Sequence, residues 1–109
     1  MATLTLEATL RLARTAQQAG DLPRAQRLLE PLVAALPKDA MLGAMLASNV
    51  FRQGDHRRAA TLFTRAIALT PNQAELHVNL AVVLVHAGRR GEAGDALDRA
   101  VASSKPPSS

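Results

Sequence analysis

The sequence predicts an all-α fold of three consecutive helix pairs, and two observations support this prediction. Small and apolar residues recur every 34 residues along the chain. Within each interval the apolar residues follow the helical spacing of i, i+3, i+4 and i+7, and no stretch alternates as a β-strand does. A period of this length is typical of a helix pair that buries its apolar stripe only by stacking on neighbouring pairs.

The register of the repeat is visible in several residue classes at once. Glycine, alanine and leucine each return in step, and proline does so in the first two intervals. Because so many classes share one frame, the three intervals are copies of one structural unit. The matching positions are Gly20, Gly54 and Gly88; Ala25, Ala59 and Ala93; Leu12, Leu46 and Leu80; Leu29, Phe63 and Leu97; and Pro37 with Pro71.

Six helices follow from this register, each bounded by residues suited to helix ends. Asp21, Asp39 and Asp55 can accept hydrogen bonds from the first free N–H groups of the second, third and fourth helices. Asn72 with Glu75 resembles a capping box that opens the fifth. The glycine of each copy suits the left-handed residue that ends its first helix. The predicted helices are 4–19, 23–36, 40–53, 57–70, 74–87 and 91–103.

Two of these helices contain residues that disfavour helix. Pro31 lacks a backbone donor and predicts a kink or an early break in the second helix. Gly91 and Gly94 predict that the sixth helix frays, since each glycine costs about 1 kcal/mol relative to alanine. The sequence then ends in a flexible tail over residues 104–109.

Composition excludes several functional classes. The chain has no cysteine, which argues against thiolate chemistry. It has no tryptophan or tyrosine, which argues against stacking on nucleobases. Its net charge is only +4. His56, His77 and His86 lack a metal-ligand spacing, and no phosphate-binding loop or catalytic constellation is present. We therefore expect no enzyme activity, no cofactor, no metal and no nucleic-acid partner. Without a targeting segment or an apolar membrane span, the expected location is cytoplasmic.

The quoted repeat positions resemble the tetratricopeptide repeat (TPR). The resemblance covers nearly the whole chain as copies at about 6–39, 40–73 and 74–107, in one domain over 1–103. It implies a right-handed α-solenoid of three antiparallel helix pairs. The sequence departs from the family pattern where Thr9, Gly43 and His77 replace its large aromatic residue. Its core tyrosine is replaced by Ala16, Val50 and Leu84.

In this family the first helix of each pair lines a concave groove that holds partner peptides. The helices here contribute no lysine to that wall, so a clamp for a terminal carboxylate is not expected. The wall is instead apolar from Met41 to Val85, which indicates an interaction site for an apolar segment of a partner. Arg14 and Arg52 could orient an acidic or polar end of that segment. The predicted contact residues are Leu10, Arg14, Met41, Met45, Ser48, Phe51, Arg52, Val78, Asn79, Val82 and Val85.

The predicted function is a non-catalytic protein-interaction module, an adaptor or co-chaperone. Two alternatives stay open. Arrays of this kind normally end in a polar capping helix, and we expect none here, which would leave Leu84, Leu97 and Val101 partly uncovered. A second copy of the chain could then stack on that end, as in a self-associating assembly protein. In the second alternative, the chain is the N-terminal array of a larger bacterial enzyme.

Overall fold

Six α-helices make up residues 5–104, which are the residues that the computed structural model describes. They are α1 (Leu6–Gln18), α2 (Leu22–Ala35), α3 (Ala40–Arg52), α4 (His56–Leu69), α5 (Ala74–His86) and α6 (Arg90–Ser104). The principal contacts join each helix to the next along the chain. The result is an α-solenoid of three helix pairs, as predicted.

Every helix end lies within two residues of its predicted position. The glycines that follow α1, α3 and α5 have φ angles of 80°, 94° and 78°, so each is the left-handed residue that the repeat required. The described chain ends with Ser104, the last residue of α6. Except for this residue, the predicted tail lies outside the described residues.

Three of the four predicted helix caps are confirmed. A side-chain oxygen of Asp21, Asp39 and Asp55 accepts a hydrogen bond from the backbone N–H three residues later, at 3.1–3.2 Å. The prediction for Asn72 is wrong. The extended residue before α5 is Gln73, with φ −92° and ψ 102°, and it makes no side-chain capping bond. The start of α5 therefore depends on packing rather than on a side-chain cap.

The repeat alanines are buried in every helix pair. Larger apolar side chains fill the space between pairs, where Leu29, Leu46 and Phe63 are at most 2% exposed. This alternation allows close packing without the aromatic residues that the family usually supplies. The repeat alanines are also at most 2% exposed: Ala13, Ala25, Ala47, Ala59, Ala81 and Ala93.

The predicted break at Pro31 does not occur, because α2 continues through it to Ala35. The missing N–H of Pro31 removes one helical hydrogen bond. Packing on both sides offsets that loss: Leu29 is fully buried before it, and Val33 packs against the core after it.

Two expectations about the last pair are also wrong. Helix α6 runs unbroken past Gly91 and Gly94, because Ala93 and Ala96 are buried against its neighbours. Leu84 is only 4% exposed. Its side chain faces a cleft shared with α4 and α6 rather than the open end of the stack.

Candidate functional site

An open cleft of about 850 Å³ lies between the second and third helix pairs. We call it the α3–α5 groove. It is formed by α3 from its start to Ser48, by the first two turns of α5 and by the connections that precede the two helices. Its lining includes Met41, Ala44, Met45 and Ser48 from α3, Glu75, Leu76 and Asn79 from α5, and residues 36–39, Thr70 and Gln73 from the connections.

Two methionines of α3, Met41 and Met45, are among the apolar residues that line this groove. Met41 is 64% exposed, while Met45 and Ala44 are half-buried and pack against the core. Two flexible thioether side chains at the edge of a cleft can repack around different apolar partners. The polar groups of Ser48 and Asn79 lie on the same cleft and can fix the orientation of a bound backbone.

Phe51 lies one cavity further along the stack. With Ser48, Asn79 and Val82 it lines a small cavity of about 90 Å³. Its ring is only partly exposed, rather than fully open to solvent as expected, and two imidazoles lie beside it. The ring centroids of His56 and His86 lie 5.3 Å and 5.1 Å from that of Phe51. Phe51 also packs against the core, so it contributes to stability as well as to the surface.

The other predicted contact residues are spread over a wider surface. Val78, Val82 and Val85 are 41%, 42% and 47% exposed along α5. Leu10 of α1 is half-buried against the core, and Arg14 is exposed; both lie outside the α3–α5 groove.

Arg52 is occupied by a contact with the first pair. Its Nη1 donates a hydrogen bond to the carbonyl oxygen of Gln17 at 3.1 Å. Arg52 also lies outside the groove lining. The structure thus brings Met41, Met45 and Ser48 together with Asn79 on one cleft, but not the two arginines.

The sequence analysis missed the contribution of the connections. Residues 36–39, which link α2 to α3, form one side of the groove and place Lys38 at its edge. A lysine is therefore available to the groove, although none lies on its helices. Lys38 and Glu75 form no ion pair within residues 5–104, so both remain available to a partner's charges. The repeat register describes helix faces, and it carries no information about which loops fold against them.

The histidines have structural contacts. His77 is 3% exposed, and its Nε2 donates to the carbonyl oxygen of Pro71 at 2.8 Å. Its Nδ1 has no hydrogen-bond partner among the described atoms. The rings of His56 and His86 lie 5.7 Å apart. Over residues 5–104 no three histidine or acidic side chains come together as a metal site. In the same range, no helix has both the length and the apolar character needed to cross a membrane.

The outer helices carry most of the arginines, and one of these forms a bidentate ion pair with a neighbouring helix. Arg58 of α4 donates two hydrogen bonds to the Glu30 carboxylate of α2, at 2.8 Å and 2.5 Å. These bonds lower the pKa of Glu30, and partial burial opposes them. Just before α6, the guanidinium of Arg89 likewise lowers the pKa of Glu92, which lies on that helix. The Arg58–Glu30 pair joins the first two helix pairs on the side formed by the second helices.

The fold and the groove define a helical-repeat protein of the protein-interaction class. Two family models with the description Tetratricopeptide repeat match the sequence, one over residues 44–108 and one over residues 6–31. The first match alone covers more than half of the chain. The chain belongs to the tetratricopeptide repeat family, as its repeat positions predicted. No curated protein sequence matches it significantly.

Solved structures with the same fold include MamA. A crystal structure of MamA superposes with a TM-score of 0.84 at 24% identity, covering 90% of this chain and 57% of that chain. A MamA mutant gives a TM-score of 0.86 at 23% identity, covering 96% of this chain and 77% of that chain. This chain thus spans little more than half the length of the first structure. At these identities the likeness shows the fold.

A third structure with this fold is a mutant of the Thermobaculum terrenum O-GlcNAc transferase. It superposes with a TM-score of 0.82 at 31% identity. The match covers 95% of this chain but only 21% of the transferase chain. The similarity is therefore confined to a small part of that enzyme.

Proposed function

We propose that this chain is a non-catalytic adaptor that binds an apolar segment of a partner protein in the α3–α5 groove. The observation that supports this most is the 64% exposure of Met41 beside half-buried Met45 on a cleft of about 850 Å³. Ligand pockets typically measure about 300–1,000 Å³, so the cleft suits a few apolar side chains rather than a whole helix.

The groove is formed by packed helices, which explains how it would bind. Leu42 and Leu46 of α3 are buried and hold the helix in place while Met41 points outward. A partner segment would meet a preformed surface, so little of the binding free energy is lost in ordering the protein. Lys38 and Glu75 at the edge offer one charge of each sign, which can set the direction of the segment.

The proposal divides the predicted contact residues into three groups. Met41, Met45, Ser48 and Asn79 form the centre of the site. Phe51 and Val82 continue it along the stack. Leu10, Arg14, Arg52, Val78 and Val85 would be reached only by a longer segment. A cytoplasmic location, one domain spanning the three repeats and the absence of a nucleic-acid partner are part of the same proposal.

The variant Met41→Asp tests the site with little risk to the fold. Met41 is the second residue of α3, where a carboxylate interacts favourably with the helix dipole. Leu6→Asp is a matched control, since Leu6 is 43% exposed in the first turn of α1 and lies outside the groove. Random peptides displayed on phage are selected on the wild-type protein, and the selected peptides are then titrated by calorimetry.

The selected peptides should share apolar side chains and bind Met41→Asp about tenfold more weakly or worse. Burial of a methionine is worth about 1.5–3 kcal/mol, and 1.4 kcal/mol corresponds to a factor of ten. Leu6→Asp should bind like the wild type. Peptides without an apolar consensus, or equal affinity for Met41→Asp and the wild type, would contradict the proposal.

A second candidate role is the recognition region of a larger enzyme. The 31% identity to a short part of the O-GlcNAc transferase chain favours it. The groove would then hold a segment of the enzyme's protein substrate. The mass of the protein isolated from its native cells decides the question. A mass near 11.5 kDa would contradict this role, and a much larger mass would support it.

A further inference from the structure

Two apolar side chains on α6 are exposed although their repeat equivalents are buried or half-buried. Leu97 is 47% exposed, whereas Phe63 and Leu29, which are 34 and 68 residues earlier, are 2% and 0% exposed. Val101 is 57% exposed, whereas its equivalent Ile67 packs against the core. Phe63 lies against α5, the first helix of the next pair. Leu97 and Val101 therefore occupy positions that a following first helix covers elsewhere in this chain.

At the opposite end of the stack, α1 exposes side chains whose repeat equivalents on α3 and α5 are buried. In α3, Leu42, Leu46 and Asn49 form one stripe that faces α2, and the Asn49 amide nitrogen donates to the carbonyl oxygen of Leu22 at 2.9 Å. All three are at most 2% exposed. The equivalent stripe on α5 is buried too. On α1, however, Leu12 is 37% exposed and Thr15 is exposed.

We propose that copies of this chain associate head to tail, with α6 of one copy packed against α1 of the next. Leu97 and Val101 would then contact the stripe that contains Leu12. We call a contact between consecutive helix pairs a joint. The joint between two copies would repeat the contacts that already join α2 to α3 and α4 to α5. Such an interface is heterologous, because two different surfaces meet, and it can continue into longer assemblies.

Charge complementarity supports the same arrangement. The ion pair of Arg58 with Glu30 joins α4 to α2 across the first joint. By the 34-residue register, Glu30 corresponds to Asp98 at the end of the stack, and Arg58 corresponds to Arg24 at its start. A head-to-tail joint therefore places Asp98 of one copy opposite Arg24 of the next. Both side chains are exposed, and neither forms an ion pair within the described part of the chain.

The acid–arginine pair is not a general property of the repeat. At the second joint, between the second and third helix pairs, the two equivalent positions are Thr64 of α4 and Glu92 of α6. Glu92 pairs with Arg89 instead. The sequence thus provides an acidic residue and an arginine at the first joint and at the joint between copies, but not at the second joint. A symmetric joint of α6 against α6 would instead bring two Asp98 carboxylates close together, which is unfavourable.

Sedimentation velocity over a range of concentrations tests the proposal with the wild type, two variants and a mixture of the variants. The wild type should form species larger than a dimer as its concentration rises. Leu97→Asp blocks one end and Leu12→Asp blocks the other, so each alone should stay monomeric. Mixed together, they should form a one-to-one heterodimer, because each keeps the end that the other lacks. Both positions are partly exposed, and circular dichroism verifies that each variant remains helical.

The expected weakening of the joint is about 10- to 100-fold for either variant, as burial of one leucine is worth about 1.5–3 kcal/mol. The charge pair gives a second test. Asp98→Arg and Arg24→Asp should each weaken association severalfold, and the chain carrying both should regain it. A wild type that is monomeric at every concentration would overturn the proposal. So would a Leu12→Asp variant that dimerises by itself as strongly as the wild type, since that indicates a symmetric joint.

The end-to-end contact and the groove are separate surfaces, so the two proposals can fail independently. Met41→Asp should self-associate like the wild type. Leu97→Asp should bind the selected apolar peptides like the wild type. If Met41→Asp remains monomeric, the groove itself forms the contact between copies and the head-to-tail joint is wrong.

Discussion

Asn49 is a buried polar residue whose removal should loosen the first helix pair. It is 0% exposed in the middle of the stack. Its Nδ2 donates to the carbonyl oxygen of Leu22 at 2.9 Å and to Oε1 of Gln53 at 3.1 Å. Its Oδ1 accepts from Nε2 of Gln17 at 3.3 Å. One side chain therefore bonds to α1, to α2 and to the residue that ends α3.

Asn49→Ala removes all three hydrogen bonds. At a net value of about 1 kcal/mol each, the free energy of unfolding should fall by about 3 kcal/mol. That is a large share of a typical total of about 5–15 kcal/mol. Gln53→Ala is the control, because it removes only one of these bonds at an exposed position and should cost about 1 kcal/mol or less.

Urea unfolding followed by far-ultraviolet circular dichroism measures both variants, since the chain has no tryptophan or tyrosine to report by fluorescence. Hydrogen exchange should also quicken in α1 and α2, whose bonds to α3 are lost. A loss below about 1 kcal/mol for Asn49→Ala, or the same loss for both variants, would contradict this account of the contact.

Two further predictions concern glycine and the ion pair. Gly54→Ala should lower the free energy of unfolding by about 1–2 kcal/mol, because φ is 94° there. Gly43→Ala should raise it by about 0.5–1 kcal/mol, because an added Cβ meets nothing within 4 Å inside α3; urea titrations that give both changes the same sign would contradict this contrast. For Glu30→Gln the loss should be below about 1 kcal/mol, as the pair is partly exposed. Because the folded pKa of Glu30 is lowered, this stabilisation is present above the unfolded pKa and disappears as the pH falls through the folded one. Urea midpoints of the wild type and Glu30→Gln should therefore differ near neutral pH and converge as the pH falls through the folded pKa of Glu30, and a difference that persists below that pKa would contradict the assignment.

Most of the fold could be predicted from the sequence because the repeat reports the same unit three times. The left-handed glycines, the three aspartate caps and the buried repeat alanines are local or periodic features, and the structure contains all of them. The errors fall where tertiary packing overrides a local preference. Pro31 stays in a helix because Leu29 and Val33 hold the turns around it. The capping prediction at Asn72 fails because α5 begins one residue later than that pattern implied.

The candidate site was less predictable. The register identified Met41 and Ser48 correctly as lining one cleft. The register could not show that the Phe51 ring contacts two imidazoles, because His56 and His86 come from different helix pairs. Nor could it place Lys38, since that residue lies in a connection without a period. Contacts between distant parts of the chain depend on how the pairs are oriented, and sequence spacing carries no information on that.

The neighbour-to-neighbour packing of the helices also bears on how such a molecule can evolve. Because the principal contacts join consecutive helices, no distant element has to be redesigned when a pair is inserted or deleted. An in-frame duplication of 34 codons would lengthen the stack by one pair and widen its concave side. Changes in reach are therefore accessible by gene rearrangement alone, without coordinated point mutations.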